Sequence, residues 1–324
     1  MARLGLRNCY PSCVSRSLKA HILLVLVTLV WGATFVVIKN ALADISPLLF
    51  NAVRLTLAGA VLGVIFAREL RHLTRGALAM SVLVGVFLWL GFEFQTTGLR
   101  LTSASKSAFL TGFSVILVPV FLALGWRKHI NRWTMGGVVV ALAGLYLMTV
   151  PAGNGGSLNL ASINRGDLLT IGCAIMFALQ IIFMGRAMQR YRFEQVATLE
   201  AIVTAALMWL TVPVLEQAHV IWSARVIWAI LVTGLLGTAA GFTVQAWAQQ
   251  FTPPTHTALI FLLEPVFAWI TSYLVLGERL GWRAGAGAMM ILAGIMISEL
   301  RGGQAELQAE VGESPPPAPP EIYR

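Results

Sequence analysis

Apolar residues along this chain run together instead of alternating or marking a single helical stripe. Ten stretches approach the ~20 residues that a helix needs to cross the hydrocarbon core of a bilayer. They fall at about 21–39, 48–67, 77–97, 106–125, 133–150, 168–186, 196–215, 226–246, 255–276 and 282–299. The pattern predicts an all-α membrane protein of ten transmembrane helices. Connectors are short and carry helix breakers; Pro151-Ala152-Gly153-Asn154-Gly155-Gly156, between the fifth and sixth stretches, is read as the hinge between two halves. The run from Ile22 to Ile38 is longer than a signal-peptide core, so it is read as a retained span although Ala41-Leu42-Ala43 mimics a cleavage site. Residues 301–324, with Ser314-Pro315-Pro316-Pro317-Ala318-Pro319-Pro320 and four Glu, hold too little apolar surface to pack and are read as a disordered tail.

Composition sharpens this picture. Of 324 residues 57% are hydrophobic and 11% charged, with a mean hydropathy of +0.78. Too few charges remain to cover a soluble globule of this size, which excludes an ordinary soluble enzyme. The net charge of +9 does not point to nucleic acid, because the basic residues sit in connectors, where they meet lipid headgroups and set orientation. Fifteen Lys and Arg fall on the side shared by the termini and the even-numbered connectors, and seven on the other. By the positive-inside bias both termini are expected in the cytoplasm. Cys9, Cys13 and Cys173 form no zinc-binding pattern, and no metal or cofactor is expected.

A half of five spans placed twice in series inserts in opposite orientations, because five is odd. Sliding the chain by 150 residues superposes Gly91, Phe92 and Gln95 on Gly241, Phe242 and Gln245, then Thr102 and Ala108 on Thr252 and Ala258. Leu124 meets Leu274, and Gly137, Leu142, Ala143 and Gly144 meet Gly287, Leu292, Ala293 and Gly294. The shared register across three spans predicts two inverted five-helix repeats, an architecture that puts a substrate site between the halves near the midplane.

Four charged residues, Arg54, Glu93, Glu200 and Glu264, fall inside apolar spans. Each would cost ~2.5–3.5 kcal/mol facing lipid, so they are expected to face protein or a water-filled space. Glu264 precedes Pro265, which breaks a helix and frees carbonyls beside the carboxylate; a structural hydrogen bond is the alternative. Glu93 and Gln95 point roughly 200° apart on a helix, so at most one faces a common cavity. Arg54 and Glu200 superpose under a slip of 146, which suggests an ion pair between the second spans of the halves. Gln95, Gln180, Gln245, Gln249 and Thr111 add polar handles, with interhelical hydrogen bonding as the alternative for about half of them, and Trp31 adds an aromatic surface for an organic substrate. Gly59 and Gly63, Gly137 and Ala141, and Gly281 and Gly285 are spaced for close helix packing.

Trp31-Gly32-Ala33-Thr34-Phe35, Arg54, Leu101-Thr102-Ser103-Ala104-Ser105-Lys106-Ser107-Ala108-Phe109-Leu110-Thr111-Gly112, and Ala258-Leu259-Ile260-Phe261-Leu262-Leu263-Glu264-Pro265-Val266-Phe267-Ala268 with Leu276-Gly277-Glu278 resemble the EamA branch of the drug/metabolite transporter superfamily. The resemblance implies a cytoplasmic segment 1–20, repeats at 21–150 and 167–300, a linker at 151–166 and a cytoplasmic tail at 301–324. It further implies a secondary transporter of the bacterial inner membrane that exports amino acids, other small metabolites or drugs by alternating access. Trp31, Arg54, Thr111, Glu264 and Pro265 fall where that family keeps its motif residues; Glu93 and Glu200 match no motif. Substrate and lipid bilayer are the expected partners, with a proton carried by Glu264 or Glu93 as the candidate coupling ion. A membrane-embedded enzyme acting on lipid and a receptor or scaffold without flux are the alternatives. Against the first, no midplane cluster of nucleophile, base and metal ligands is visible.

Overall fold

A computed structural model describes residues 10–99, 101, 107, 110–127, 130–149, 164–276 and 281–302. Much of the expected N-terminal segment, linker and tail, together with Lys106, Gly277 and Glu278, lies outside the described residues.

Ten apolar helical segments follow one another: α1 (Tyr10–Ala41), α2 (Pro47–Ile65), α3 (Arg75–Leu99), α4 (Ser114–Trp126), α5 (Arg132–Thr149), α6 (Arg165–Met188), α7 (Phe193–Leu215), α8 (Ala224–Ala248), α9 (Pro254–Val275) and α10 (Trp282–Ile297). Seven contain a stretch long and apolar enough to cross a membrane; α4, α5 and α10 are shorter than the sequence pattern predicts. The 16 residues of α10 rise only about 24 Å, and a π-helical turn at Ser298–Gly302 prolongs it. Among the described residues there is no strand, only an isolated bridge between Ile45 and Val220.

Local chemistry explains where several helices begin. Pro47 opens α2, where a missing N–H costs nothing. The Asn164 side chain accepts from the Asp167 N–H at 2.9 Å while the Asp167 carboxylate accepts from the Asn164 N–H at 2.9 Å, closing a capping box on α6. Glu216 accepts from the N–H groups of Leu48 and Leu49 at 2.9 and 3.2 Å, so a residue of the second half caps the start of α2.

The packing is two-fold. Helix α2 lies on α7 and α5 on α10, while α3 packs on α6 and α7 as α8 packs on α1 and α2. A Cβ on Gly144 would meet the Gly287 carbonyl at 2.5 Å, and one on Gly287 would meet the Gly144 carbonyl at the same distance. Gly137 and Gly294 abut in the same reciprocal way. Because Gly137 and Gly144 correspond to Gly287 and Gly294 under the 150-residue slide, each glycine meets the counterpart of the other, which is what a two-fold axis demands. Gly59 abuts Ile202, whereas Gly63 and Gly281 face open space. The largest core joins α1, α4, α5, α6, α9 and α10 through side chains such as Leu24, Val118, Leu145, Ile182, Leu259 and Ile291. Val64, Leu124, Val214, Trp228, Leu274 and Met289 stay exposed on the outside, an apolar surface suited to lipid.

Two helices depart from regular geometry. In α9 the first half ends at Phe261 and the second begins at Glu264, with Pro265 as its second residue. Helix α8 widens into a π-helical segment over Thr233–Ala240. Gly234, Gly237 and Gly241 supply little side-chain bulk to resist the wider turn, and the Thr238 hydroxyl donates to the Thr233 carbonyl at 2.9 Å.

Candidate functional site: a polar cleft between the halves

The break in α9 is held against α1. A Cβ on Gly32 would stand 2.7 Å from the Glu264 carbonyl, the Ala268 nitrogen and the Phe267 Cβ, so only glycine lets the helices approach this closely. One residue earlier, the Trp31 indole N–H donates to the Gly237 carbonyl at 2.6 Å, in the π-helical part of α8. Its ring centroid lies 4.9 Å from that of Phe261 and 5.7 Å from that of Phe242. Trp31 therefore ties α1 to both irregular helices.

Arg54, in the middle of α2, carries its guanidinium 5.0 Å from the ring centre of Phe92 and 5.9 Å from that of Phe50. The charge is thus stabilised in part by aromatic faces. Arg54 on α2 and Glu264 on α9 carry opposite charges, and no salt bridge joins them among the described residues. Both side chains keep some accessible surface, and Arg54 Nε has no hydrogen-bond partner among the described residues. Thr111, just before α4, places its hydroxyl 3.9 Å from the Cys173 sulfur on α6. Trp31 and Glu264, with Pro265 beside it, meet where α1, α8 and α9 pack; the Arg54 carbonyl lies against Gly234 of α8, and Gly112, next to Thr111, lies against Leu262 at the α9 break, so these residues surround the candidate cleft. Surface hollows of about 440 Å³ beside Met188–Glu194 and about 390 Å³ beside Phe94 and Leu168 lie away from it.

The remaining charges are placed differently. Glu93 is buried at 4% exposure and accepts from the Trp89 indole N–H at 3.3 Å and from the Thr211 hydroxyl, joining α3 to α7. Glu200 has no exposed surface and accepts from the Gln180 amide at 2.7 Å. Gln180 in turn accepts from Gln245 at 3.1 Å, and Gln245 is also wholly buried. The expected pairing of Arg54 with Glu200 does not form: the Arg54 guanidinium stands against the rings of Phe92 and Phe50, and Glu200 turns into an amide network of its own half. Sequence reasoning gave Gln180 only as a polar handle, and it missed the place of Cys173 beside Thr111 and the rings of Phe50, Phe242 and Phe261. Of the rings, the 150-residue correspondence with Phe92 could have singled out Phe242.

Two inverted five-helix repeats in a lipid-facing shell, with charged and polar side chains buried between the helices, have the architecture of a multi-pass membrane transporter. The chain belongs to the EamA-like transporter family, whose model matches residues 18–150 and 164–300. It is 30% identical over 288 residues to an uncharacterized transporter of Archaeoglobus fulgidus, covering 88% of this chain and 87% of that one. It is 26% identical over 298 residues to a probable amino-acid metabolite efflux pump of Salmonella typhimurium, covering 87% of this chain and 95% of that one. A solved crystal structure at 17% identity shares the fold with a TM-score of 0.73, covering 91% of this chain and 99% of that chain.

Proposed function

We propose that this protein is a secondary transporter of the bacterial inner membrane that exports small zwitterionic metabolites, amino acids above all, by alternating access. The observation that carries this reading is that Arg54 and Glu264, of opposite charge and each only partly buried, lie on either side of the α1–α8 contact, Arg54 against Gly234 and Glu264 against Gly32. Arg54 is suited to a substrate carboxylate and Glu264 to its ammonium group, while Trp31, Phe92, Phe242 and Phe261 offer apolar surface to a side chain. The name of the Salmonella relative points the same way. Residues 21–150 and 167–300 act as the two moving halves, joined by 151–166. The cytoplasmic segments 1–20 and 301–324 flank them, following the excess of Lys and Arg on that side. The cleft is narrow, so passage requires the halves to rock apart, first at one end and then at the other.

Proteoliposomes preloaded with a mixture of labelled amino acids test the reading. Efflux of one subset, accelerated by unlabelled members of that subset outside, is the expected result. No counterflow of any amino acid by protein that is folded and inserted overturns it.

A further inference from the structure

We infer that Glu200, Gln180 and Gln245 form a proton-binding site separate from the Arg54–Glu264 cleft, and that this site couples transport to protons. The inference deepens the transport reading and rests on it for its role, though not for its chemistry.

Glu200 sits without exposed surface on α7, among α2, α3, α6 and α8. A carboxylate in such a place is held as an anion only when a cation or several donors surround it. Glu264 keeps accessible surface, and Glu93 has the Thr211 hydroxyl and the Trp89 N–H. Among the described residues Glu200 has one neutral amide, and its Oε2 has no partner. The charged groups carried by the surrounding helices are Arg54 on α2, Arg75 and Glu93 on α3, Arg165, Asp167 and Arg186 on α6, and Arg225 on α8, with Glu194 on its own helix. Arg68 and Glu69, on the short helix Ala67–Leu70 packed against α7, complete the set; among the described residues the Gln180 amide is the one side-chain hydrogen-bond partner of the Glu200 carboxylate, and no salt bridge reaches it.

The amides can register the proton. With Glu200 as an anion the Gln180 NH2 donates to it and the Gln180 oxygen accepts from Gln245, which is the arrangement seen, and Gln245 Oε1 is left without a partner. When a proton from water adds to Glu200, the new O–H donates to the Gln180 oxygen. The Gln180 NH2 then turns to the Gln245 oxygen. The same three side chains close in either direction, and the change is felt on α6, α7 and α8 at once. Gln249, one turn beyond Gln245 on α8, donates to the Ile181 carbonyl at 3.0 Å and also leaves its Oε1 without a partner. Buried acceptors thus continue from Glu200 toward the end of α8, a polar thread along which water can bring the proton.

Infrared difference spectra of the full-length protein in nanodiscs, taken between alkaline and acidic buffer, test the site without reference to transport. A carboxylic-acid carbonyl band that rises on acidification is expected in the wild type and in Glu264→Gln, and is lost in Glu200→Gln. Should that variant fail to insert, Glu200→Asp, which keeps the acid, must move the band. A band unchanged by either substitution, or no titrating band at all, overturns the site. For coupling, a one-unit pH gradient supports up to about tenfold accumulation per proton exchanged; wild-type vesicles are expected to accumulate amino acid and Glu200→Gln vesicles only to equilibrate it. Accumulation that survives Glu200→Gln, or that a sodium gradient drives in place of protons, overturns the coupling role. If the wild type moves no amino acid, the transport reading falls while the infrared result still decides the proton site.

Discussion

Arg54 and Glu200 occupy the same place in the two repeats, midway along α2 and α7 under a slip of 146 residues, yet their surroundings have nothing in common. Arg54 keeps accessible surface and stands against the rings of Phe92 and Phe50. Glu200 is closed off behind two glutamines. The frame obeys the two-fold axis while the chemistry does not. Glu264, the break in α9 and the π-helical turn of α8 all lie in the second repeat and face residues of the first. The cost of placing a charge in a bilayer is similar for both residues, so that cost identifies positions that need an explanation without saying which explanation holds. What separates a ligand-facing charge from a proton-holding one is the supply of partners and of accessible surface around it.

The largest effect is expected at the cleft itself. Arg54→Gln and Glu264→Gln each remove one charge-assisted contact to a zwitterion, about 1.5–3 kcal/mol, and are expected to weaken amino-acid binding ~10–100-fold in equilibrium dialysis. Glu200→Gln keeps wild-type affinity in the same assay. Equal losses in all three variants would erase the distinction between the two repeat-related positions.

Next comes a pair of glycines. Gly32→Ala drives a methyl group into the α9 backbone beside Glu264, and Gly144→Ala drives one into Gly287 on the far side of the bundle. Both are expected to lower stability by about 1–3 kcal/mol, the range for overpacking, seen as a lower Tm. Only Gly32→Ala disturbs the cleft, so counterflow per folded molecule falls in that variant and is unchanged in Gly144→Ala.

The ten spans, the repeats and the glycine seam between α5 and α10 were legible because bilayer thickness and a 150-residue register write themselves into apolar composition. The α9 break was legible through Pro265, a residue with one dominant backbone consequence. Partners were another matter. Arg54 and Glu264 are 210 positions apart in the chain and come to either side of the α1–α8 contact only once α2 and α9 are assembled. The superposition of Arg54 on Glu200 was misleading as contact: a two-fold axis brings equivalent residues together only where they lie on the axis, and even at the glycine seam each glycine meets the counterpart of another. The π-helical turn had a weak signal in Gly234, Gly237 and Gly241, since runs of glycine in a membrane helix also serve plain packing.

A subtler change tests whether the π-helical turn belongs to the cleft. Trp31→Phe keeps a ring against Phe261 but leaves the Gly237 carbonyl without the indole N–H. One neutral hydrogen bond is worth about 0.5–1.5 kcal/mol, so counterflow is expected to fall by roughly 2–10-fold, with amide exchange rising across Thr233–Ala240. Unchanged exchange in that segment would cut the link between α1 and α8.

The smallest effect is expected at Glu93. It lies on α3 next to Phe92, which touches Arg54, yet its own partners are Trp89 on the same helix and Thr211 on α7. Through those two donors the carboxylate clasps α3 to α7. Glu93→Gln keeps an oxygen for Thr211 and is expected to cost about 1 kcal/mol of stability or less, while amino-acid affinity and pH-driven accumulation stay within about twofold of wild type. A loss of accumulation as large as that in Glu200→Gln would move the proton to α3 and leave Glu200 as the clasp.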